Sequence, residues 1–426
     1  MTKRIIVIGG GAAGLMAAGK AAEAGAETIL LEKMNRTAKK LRITGKGRCN
    51  ITNIAPVQDF IQHFGQNGKF LRQAFSRFFN KDLIDFFKTL SLYTVTERGG
   101  RVFPESSEAN DVANALTNWV KASGVSVKYN SPVSQLIIKD SRITGVKLGQ
   151  DKQNKSQPNN PHNTIIEADA IIIATGGLSY PLTGSTGDGY RLAEAAGHTV
   201  SKIRPALVPL ETRGKIASSL EGLSLKNITA SVWINQKKFG DEFGDMLFTG
   251  TGISGPIILT LSKHCVDALA NNKKISISID LKPALDHNKL DERLLRDIKN
   301  FSGKAIKNML KGLLPERLIQ ICLEQTNISP HKVSNQINAE ERKRLRVWLK
   351  DFRLEITGHR PIEEAIITAG GVNTKEINPR TMESLLVKRL YFAGEVLDID
   401  ADTGGYNLQA AFSTGWLAGI SAAQDK

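Results

Sequence analysis

Four apolar residues, Ile5 to Ile8, run without a polar interruption and stop at Gly9-Gly10-Gly11. A short unbroken apolar run bounded by glycine is the pattern of a strand buried on both faces. The alanine-rich stretch that follows predicts a helix ending near Gly25, and Thr28 to Leu31 predicts a second buried strand leading to Glu32. The same kind of run returns in Ala170 to Ile173, before Ala174-Thr175-Gly176-Gly177, and in Leu390 to Ala393, before Gly394 and Glu395. An apolar helix is predicted from about Leu408, after Gly404-Gly405.

The middle of the chain changes period. Residues 59–94 read as a helix pair packed by aromatics: Phe60, Phe64, Phe70, Phe75, Phe78, Phe79, Phe86 and Phe87. The segment GGRVFPES reads as a turn, residues 125–148 alternate as in a hairpin, and Gly149 to Asn163 reads as its polar tip. From about 200 to 285 short β-type runs dominate, and from about 289 to 350 helical periodicity does. The expected organisation is α/β: a cofactor domain in two parts, 1–197 and 346–426, around an inserted β and helical domain, 198–345.

Strand, glycine turn, helix, strand and acidic residue come in the order a dinucleotide fold requires. Gly9, Gly11 and Gly14 give G-x-G-x-x-G. The first makes the tight turn, the second lets backbone approach a pyrophosphate, and the third lets helix pack on strand. The helix N-terminus then presents free N–H groups to the phosphates. Glu32 is placed to accept from ribose hydroxyls, which favours FAD or NAD over NADP. The second phosphate-type turn at Gly394, Glu395 and Gly405 decides for a flavin, whose ring extends far from its pyrophosphate. The helix after Gly405 would turn its positive end toward the ring and stabilise the reduced anion.

The 426 residues carry 41% hydrophobic and 23% charged side chains, ordinary values for a globular protein, but a net charge of +15. That excess favours polyanionic partners. Basic residues cluster twice: Lys33, Arg36, Lys39, Lys40, Arg42, Lys46 and Arg48, then Arg342, Lys343, Arg344, Arg346 and Lys350 beside Trp348. Cys49, Cys265 and Cys322 are far apart with no zinc spacing, so no metal site is expected, and the sparse count fits a reducing cytoplasm. No apolar run of about 18 residues is present, so no membrane span is expected.

The fingerprint, TGKGRCNITN, GGRVFPES, ATGG, GISGP, TAGGV, TMESLL and YFAGEVLDIDADTGGYNLQAAFSTG together resemble the BaiN/RdsA (YhiN-like) family of FAD-dependent oxidoreductases. One departure is Thr249-Gly250-Thr251-Gly252, where family members often carry a histidine. The resemblance implies a glutathione-reductase-type (Rossmann-like) FAD-binding domain with a family-specific insertion. It places Gly45 and Gly47 along the flavin, Lys46 and Arg48 toward phosphates, and Cys49 and Asn50 near the reactive ring. Carried over residue by residue, it adds Ala13, Lys33, Lys40, Val133, Asp398, Tyr406, Asn407 and Leu408 to a cofactor set that already holds Thr175, Gly176 and Gly177.

The resemblance further implies two reactions: reduction of a uridine C5=C6 bond in 23S ribosomal RNA to dihydrouridine, or of an activated C=C bond in a bile-acid or steroid-like ring. Without a second nucleotide fingerprint, NADH or NADPH is expected as a transient donor. Each reaction needs a hydride and a proton. Cys49 is the first candidate acid, with its pKa lowered by Lys46 and Arg48, and His359 is the second. Charge favours RNA over a neutral polycycle. A third class is a non-catalytic RNA-binding flavoprotein.

Overall fold

The computed structural model describes residues 2–149 and 164–424. Apart from Gly149, the expected polar hairpin tip lies outside the described residues. The chain divides into two compact units, Met1–Pro205 with Ile362–Lys426, and Ala206–Pro361.

The first unit opens with β1 (Arg4–Ile8), α1 (Ala12–Glu23) and β2 (Glu27–Leu31). β1 and β2 pair in parallel, with Val7 opposite Leu30, as a return through a crossover helix dictates. Ile5, Ile6 and Val7 are fully buried, which is why the run contains no polar residue. β3 (Thr52–Asn53), α2 (Val57–His63), α3 (Arg72–Arg77) and α4 (Asn80–Thr89) follow. The phenylalanines pack as expected. Phe60 meets Phe75 and Phe79 edge-on, at centroid distances of 5.7 and 4.9 Å.

The helical reading to residue 94 runs too far, because β4 (Thr94–Glu97) is a strand. β5 (Arg101–Pro104) corrects the reading of GGRVFPES as a turn. It is the middle strand of an antiparallel sheet β3-β5-β4 and buries Val102 and Phe103. After α5 (Ala109–Ala122) comes β6 (Ser126–Lys128), which joins β2 in parallel. The expected hairpin is thereby confined to β7 (Val133–Lys139) and β8 (Arg142–Leu148), extended by β9 (Ile165–Glu167). β10 (Ala170–Ile173), α6 (Asp188–Ala195) and β11 (Arg204–Ala206) end this part.

The second unit comprises β12 (Leu210–Thr212), α7 (Ile216–Ser219), β13 (Ser224–Ile234), β14 (Lys237–Phe248), β15 (Gly252–Ser254), α8 (Pro256–Ala270) and β16 (Ile275–Asp280). Four helices follow, α9 (His287–Asn300), α10 (Ile306–Leu310), α11 (Glu316–Thr326) and α12 (Ala339–Lys350), and then β17 (Phe352–His359). Six strands close a barrel in the order β12-β15-β14-β13-β16-β17 around a core that includes Leu210, Val232, Ile277 and Phe352. The expected insertion, 198–345, therefore shifts to Ala206–Pro361. The reason is closure. The expected boundary leaves β17 in the cofactor domain, yet it pairs with both β16 and β12.

The chain returns to the first unit with β18 (Ile367–Ala369), β19 (Leu390–Phe392) and α13 (Tyr406–Gln424). The central sheet has the order β19-β10-β1-β2-β6, with every pair parallel. This is the Rossmann-type arrangement, with the glycine turn at the carboxyl end of β1.

Candidate dinucleotide site and active loop

The turn after β1 is built around missing side chains. A Cβ on Gly14 would stand 1.8 Å from Gly9 O, so α1 could not lie against the turn with any other residue there. A Cβ on Gly11 would meet nothing within 4 Å, so the turn faces open space at that residue. The first helical bond of α1 is Leu15 N–H to Gly11 O, and no side chain caps the helix. The N–H groups of Ala12, Ala13 and Gly14 are thus available to an anion. Gly394 closes in from the far turn, where a Cβ would be 2.7 Å from Ala13 Cβ.

Glu32 directly follows β2 and is buried. Its carboxylate accepts from Gly10 N–H at 2.7 Å and Met34 N–H at 2.8 Å. Burial raises its pKa, and those two hydrogen bonds oppose the rise. Ser131 N–H donates to Glu32 O at 2.9 Å, which brings the segment leading to Val133 alongside. Two further members of the expected cofactor set have buried polar atoms with no partner: Asn50 Oδ1 and Thr175 Oγ1. A buried orphan acceptor or hydroxyl costs about 1–3 kcal/mol, and a ligand that bonds it removes that cost. The turn, the free N–H groups, the acid and the orphans together fit a dinucleotide.

Three cations of the expected cofactor set have protein partners. Lys33 pairs with Asp188 at 2.6 Å. Lys40 bonds Glu395 at 2.8 Å and Ser179 at 2.6 Å. Glu395 also accepts from Thr368 N–H at 2.9 Å, so this carboxylate is a hub that fixes the turns around Gly177 and Gly394. Arg48 pairs with Glu97 and lies 4.3 Å over the Phe103 ring. The ion pair lowers the pKa of Glu97. The Asn407 side chain bonds Ala401 N–H and O, both at 2.9 Å, and is a loop clamp.

The loop Thr44–Asn53 is compact. Lys46 and Cys49 both have φ of 58°, and Gly45 and Gly47 are left-handed too. Non-glycine residues with positive φ are strained and cluster at functional sites. Cys49 itself is fully buried. Burial pushes its thiol up to about 12, against a smaller opposite pull from Thr44. This reverses the expectation that Lys46 and Arg48 activate it, since Lys46 is exposed and Arg48 is held by Glu97. His359, the other candidate acid, belongs to the second unit. It ends β17 opposite Leu210, and its Nδ1 donates to Arg360 O at 2.8 Å.

At the other helix end, Gly405 closes on Thr52 O, which a Cβ would meet at 2.4 Å. Asn53 Nδ2 donates to Gly404 O at 3.1 Å, so the Thr44–Asn53 loop and the N-terminus of α13 are joined. Tyr406 begins α13 and stacks on His63 at 3.8 Å. His63 Nδ1 lies 2.8 Å from Asp402 Oδ2. No sequence motif marks His63, and no local signal could have singled it out. Asp398, by contrast, contributes its backbone O to Asn67 Nδ2 at 2.7 Å, and Leu408 lies half-buried in the first turn of α13.

Four of the five cations in the second basic cluster have partners, and Lys343 is exposed. On α12, Arg342 and Arg346 share Asp291, Lys350 pairs with Asp280, and Arg344 donates to Thr326 O. Trp348 is buried. In the first cluster, Arg36, Lys39 and Lys46 form no ion pair among the described residues. No helix among the described residues is long and apolar enough to cross a membrane.

Comparison with known proteins agrees with this geometry. A family model described as the HI0933-like protein Rossmann domain matches residues 3–421. The 3-dehydro-bile acid Δ4,6-reductase of Clostridium scindens is 31% identical over 423 residues, covering 99% of each chain. The ribosomal RNA dihydrouridine synthase of Escherichia coli is 30% identical over 96% of each chain. That of Haemophilus influenzae is 31% identical over 98% of this chain and 97% of its own. Among solved structures, 3-ketosteroid Δ1-dehydrogenase from Sterolibacterium denitrificans shares the fold, with a TM-score of 0.54 at 12% identity over 100% of both chains. Because the family match runs through both units, the chain belongs to the HI0933-like Rossmann-domain family, and its first unit has the FAD-binding fold expected from the sequence.

Proposed function

We propose that this chain is an FAD-dependent oxidoreductase that uses NADH or NADPH to reduce a uridine C5=C6 bond in ribosomal RNA, in the 23S molecule or its precursor, to dihydrouridine. The observation that carries the choice of RNA is the group of cations beside the Thr44–Asn53 loop that form no ion pair among the described residues: Arg36, Lys39 and Lys46. The pyrophosphate is served by the N-terminus of α1, so these charges are surplus to a dinucleotide and suit a polyanion. Two full-length relatives that carry this activity in their names support the reading. The reaction would take place in the cytoplasm.

In this reading Ala12, Ala13 and Gly14 hold the pyrophosphate through backbone N–H groups, and Glu32 accepts from a ribose hydroxyl. Asn50 and Thr175 give their unpartnered polar atoms to the cofactor. The positive end of α13 would favour negative charge on a bound flavin ring. The bound flavin supplies the hydride. The target base must leave its stack to be presented face-on, and the cations hold the flanking backbone while it does.

A second reading, reduction of an enone in a small ring compound, is favoured by the equally similar Clostridium scindens relative and by the neutralised cations of α12. One experiment separates them. The purified, FAD-loaded protein is reduced with NADH or NADPH and then offered either an unmodified 23S transcript or a steroid enone. Dihydrouridine found by mass spectrometry supports the first reading. Reduced enone with unmodified RNA supports the second, and reaction with neither leaves a flavin that only binds.

A further inference from the structure

We propose that His63, held by Asp402, is the proton donor of the reduction; this rests on the reading of the chain as a C=C reductase given above. Hydride addition to C6 leaves negative charge at C5, and a proton must reach that carbon. Cys49 is removed from solvent and is a poor acid. Of the described histidines in the first unit, His198 has no exposed side-chain surface and uses both ring nitrogens, on Glu376 at 3.1 Å and Ser384 at 2.8 Å. His63 is the other, and its Nε2 makes no hydrogen bond among the described residues.

The setting of His63 is built from three elements. It ends α2, whose Phe60 is fully buried and anchors the helix against the Tyr406 ring at 4.7 Å. The imidazole stacks on that same tyrosine at 3.8 Å with a 22° tilt. Asp402 approaches Nδ1 from the turn before α13, and the Asn407 side chain fixes that turn by bonding Asp402 O at 3.2 Å. An ionised carboxylate only accepts, so Nδ1 carries the hydrogen and Nε2 is the exchangeable position. The same turn contains Gly404 and Gly405, which meet β3 at the end of the active loop. The pair therefore stands where the loop and the positive end of α13 converge.

In the reaction a bound flavin, reduced by NADH or NADPH, would supply the hydride to C6 of the base. The Nε2–H bond of the imidazolium breaks, and its proton forms the new C5–H bond. The histidine is left neutral, with Nδ1–H still on Asp402. With its side chain 34% exposed, it regains a proton from water. Asp402 is a positioning residue, because it acts through the imidazole. Asp59, also on α2, is a further acidic group near the stacked tyrosine: burial, then Asp402, then Asp59 raise the pKa of Tyr406.

Two measurements test this. In the first, the His63→Ala and His63→Gln proteins are loaded with FAD, reduced anaerobically with NADH, and mixed with the 23S transcript while flavin absorbance is followed. Reduction by NADH reports the fold. Oxidation by RNA is expected to fall roughly 10²–10⁴-fold, the usual contribution of a positioned acid, and to recover in His63→Ala when free imidazole is added. Wild-type oxidation rates in both variants overturn the proposal while leaving the RNA reaction standing. In the second, nitrogen NMR of the cofactor-free protein reads the tautomer. A hydrogen-bonded Nδ1 proton on His63 that is lost in Asp402→Asn supports the pair. Its absence from the wild type overturns the pair whatever the substrate. If the wild-type protein leaves the RNA unreduced, it is the RNA reading that fails. The same variants are then compared on the enone, and equal rates there overturn the proposal.

Discussion

Replacing Gly11 and Gly14 separately by alanine divides cofactor binding from folding. In Gly14→Ala the new Cβ starts 1.8 Å from Gly9 O, whereas ordinary van der Waals separation begins at 3.4 Å. The shortfall, 3.4 minus 1.8, is roughly 1.6 Å, and the obstacle is backbone, so α1 must move off the turn. Overpacking of this kind costs about 1–3 kcal/mol or more. The better helix propensity of alanine returns about 1 kcal/mol at most. The cofactor-free protein is therefore expected to melt lower, by about 1 °C for each kcal/mol lost in a chain of 426 residues.

Gly11→Ala differs in kind. Its φ of −80° suits any residue, and its Cβ meets nothing within 4 Å. The cofactor-free melting temperature should stay within about 2 °C of wild type, because the loss of a glycine cap and the gain in unfolded-state entropy are each under about 1 kcal/mol. FAD affinity should fall at least ten-fold, about 1.4 kcal/mol, since the methyl group enters the space proposed for the pyrophosphate. Thermal melts without cofactor and fluorescence titration with FAD read both quantities. Wild-type FAD affinity in Gly11→Ala would show that the open space is not the phosphate site. An unshifted melt in Gly14→Ala would refute the packing of α1 against the turn.

Other outcomes follow from the same geometry. All three cysteines are free and buried, so native protein at pH 8 should resist a thiol reagent and unfolded protein should react at three sites; Cys49→Ala should keep turnover within a few-fold, and loss of turnover in a folded variant would restore the thiol as an acid. Combined replacement of Arg36, Lys39 and Lys46 by alanine should weaken RNA binding and flatten its salt dependence by about 0.7–0.9 for each phosphate left unneutralised, whereas Arg346→Ala on α12, whose partner is Asp291, should change neither. Burial lowers the pKa of His198 more than its bond to Glu376 raises it. Below about pH 6.5 the unfolded chain then binds the proton that the folded chain resists, and stability falls as the pH falls. Urea midpoints of wild type should drop between pH 7.5 and pH 5.5, and His198→Gln should flatten that drop; an unchanged slope counts against the assignment.

How far the sequence can be read depends on how local each feature is. Gly9, Gly11, Gly14 and Glu32 lie in one strand–helix–strand unit, so spacing alone places them. The insertion boundary escapes such reading because it is set by pairing between distant segments: Ile356 pairs with Ile275 on the neighbouring barrel strand, and nothing in Phe352–His359 distinguishes a barrel strand from a sheet strand. Cys49 misleads because its sequence neighbours Lys46 and Arg48 are not its electrical neighbours. Arg48 turns to Glu97, and the thiol turns into the core. The cations of α12 look free in the sequence for the same reason, as their partners Asp280 and Asp291 lie on β16 and α9. His63 is invisible to sequence reading, since Asp402 is 339 residues away.

Reduction of ribosomal uridine by this flavin fold would leave a chemical trace in the cell. That trace is the dihydrouridine content of 23S ribosomal RNA, measured by mass spectrometry in cells with the gene, without it, and with it restored. One dihydrouridine is expected to vanish on deletion and to return with the wild-type gene. Identical dihydrouridine content in all three strains would contradict the RNA reaction.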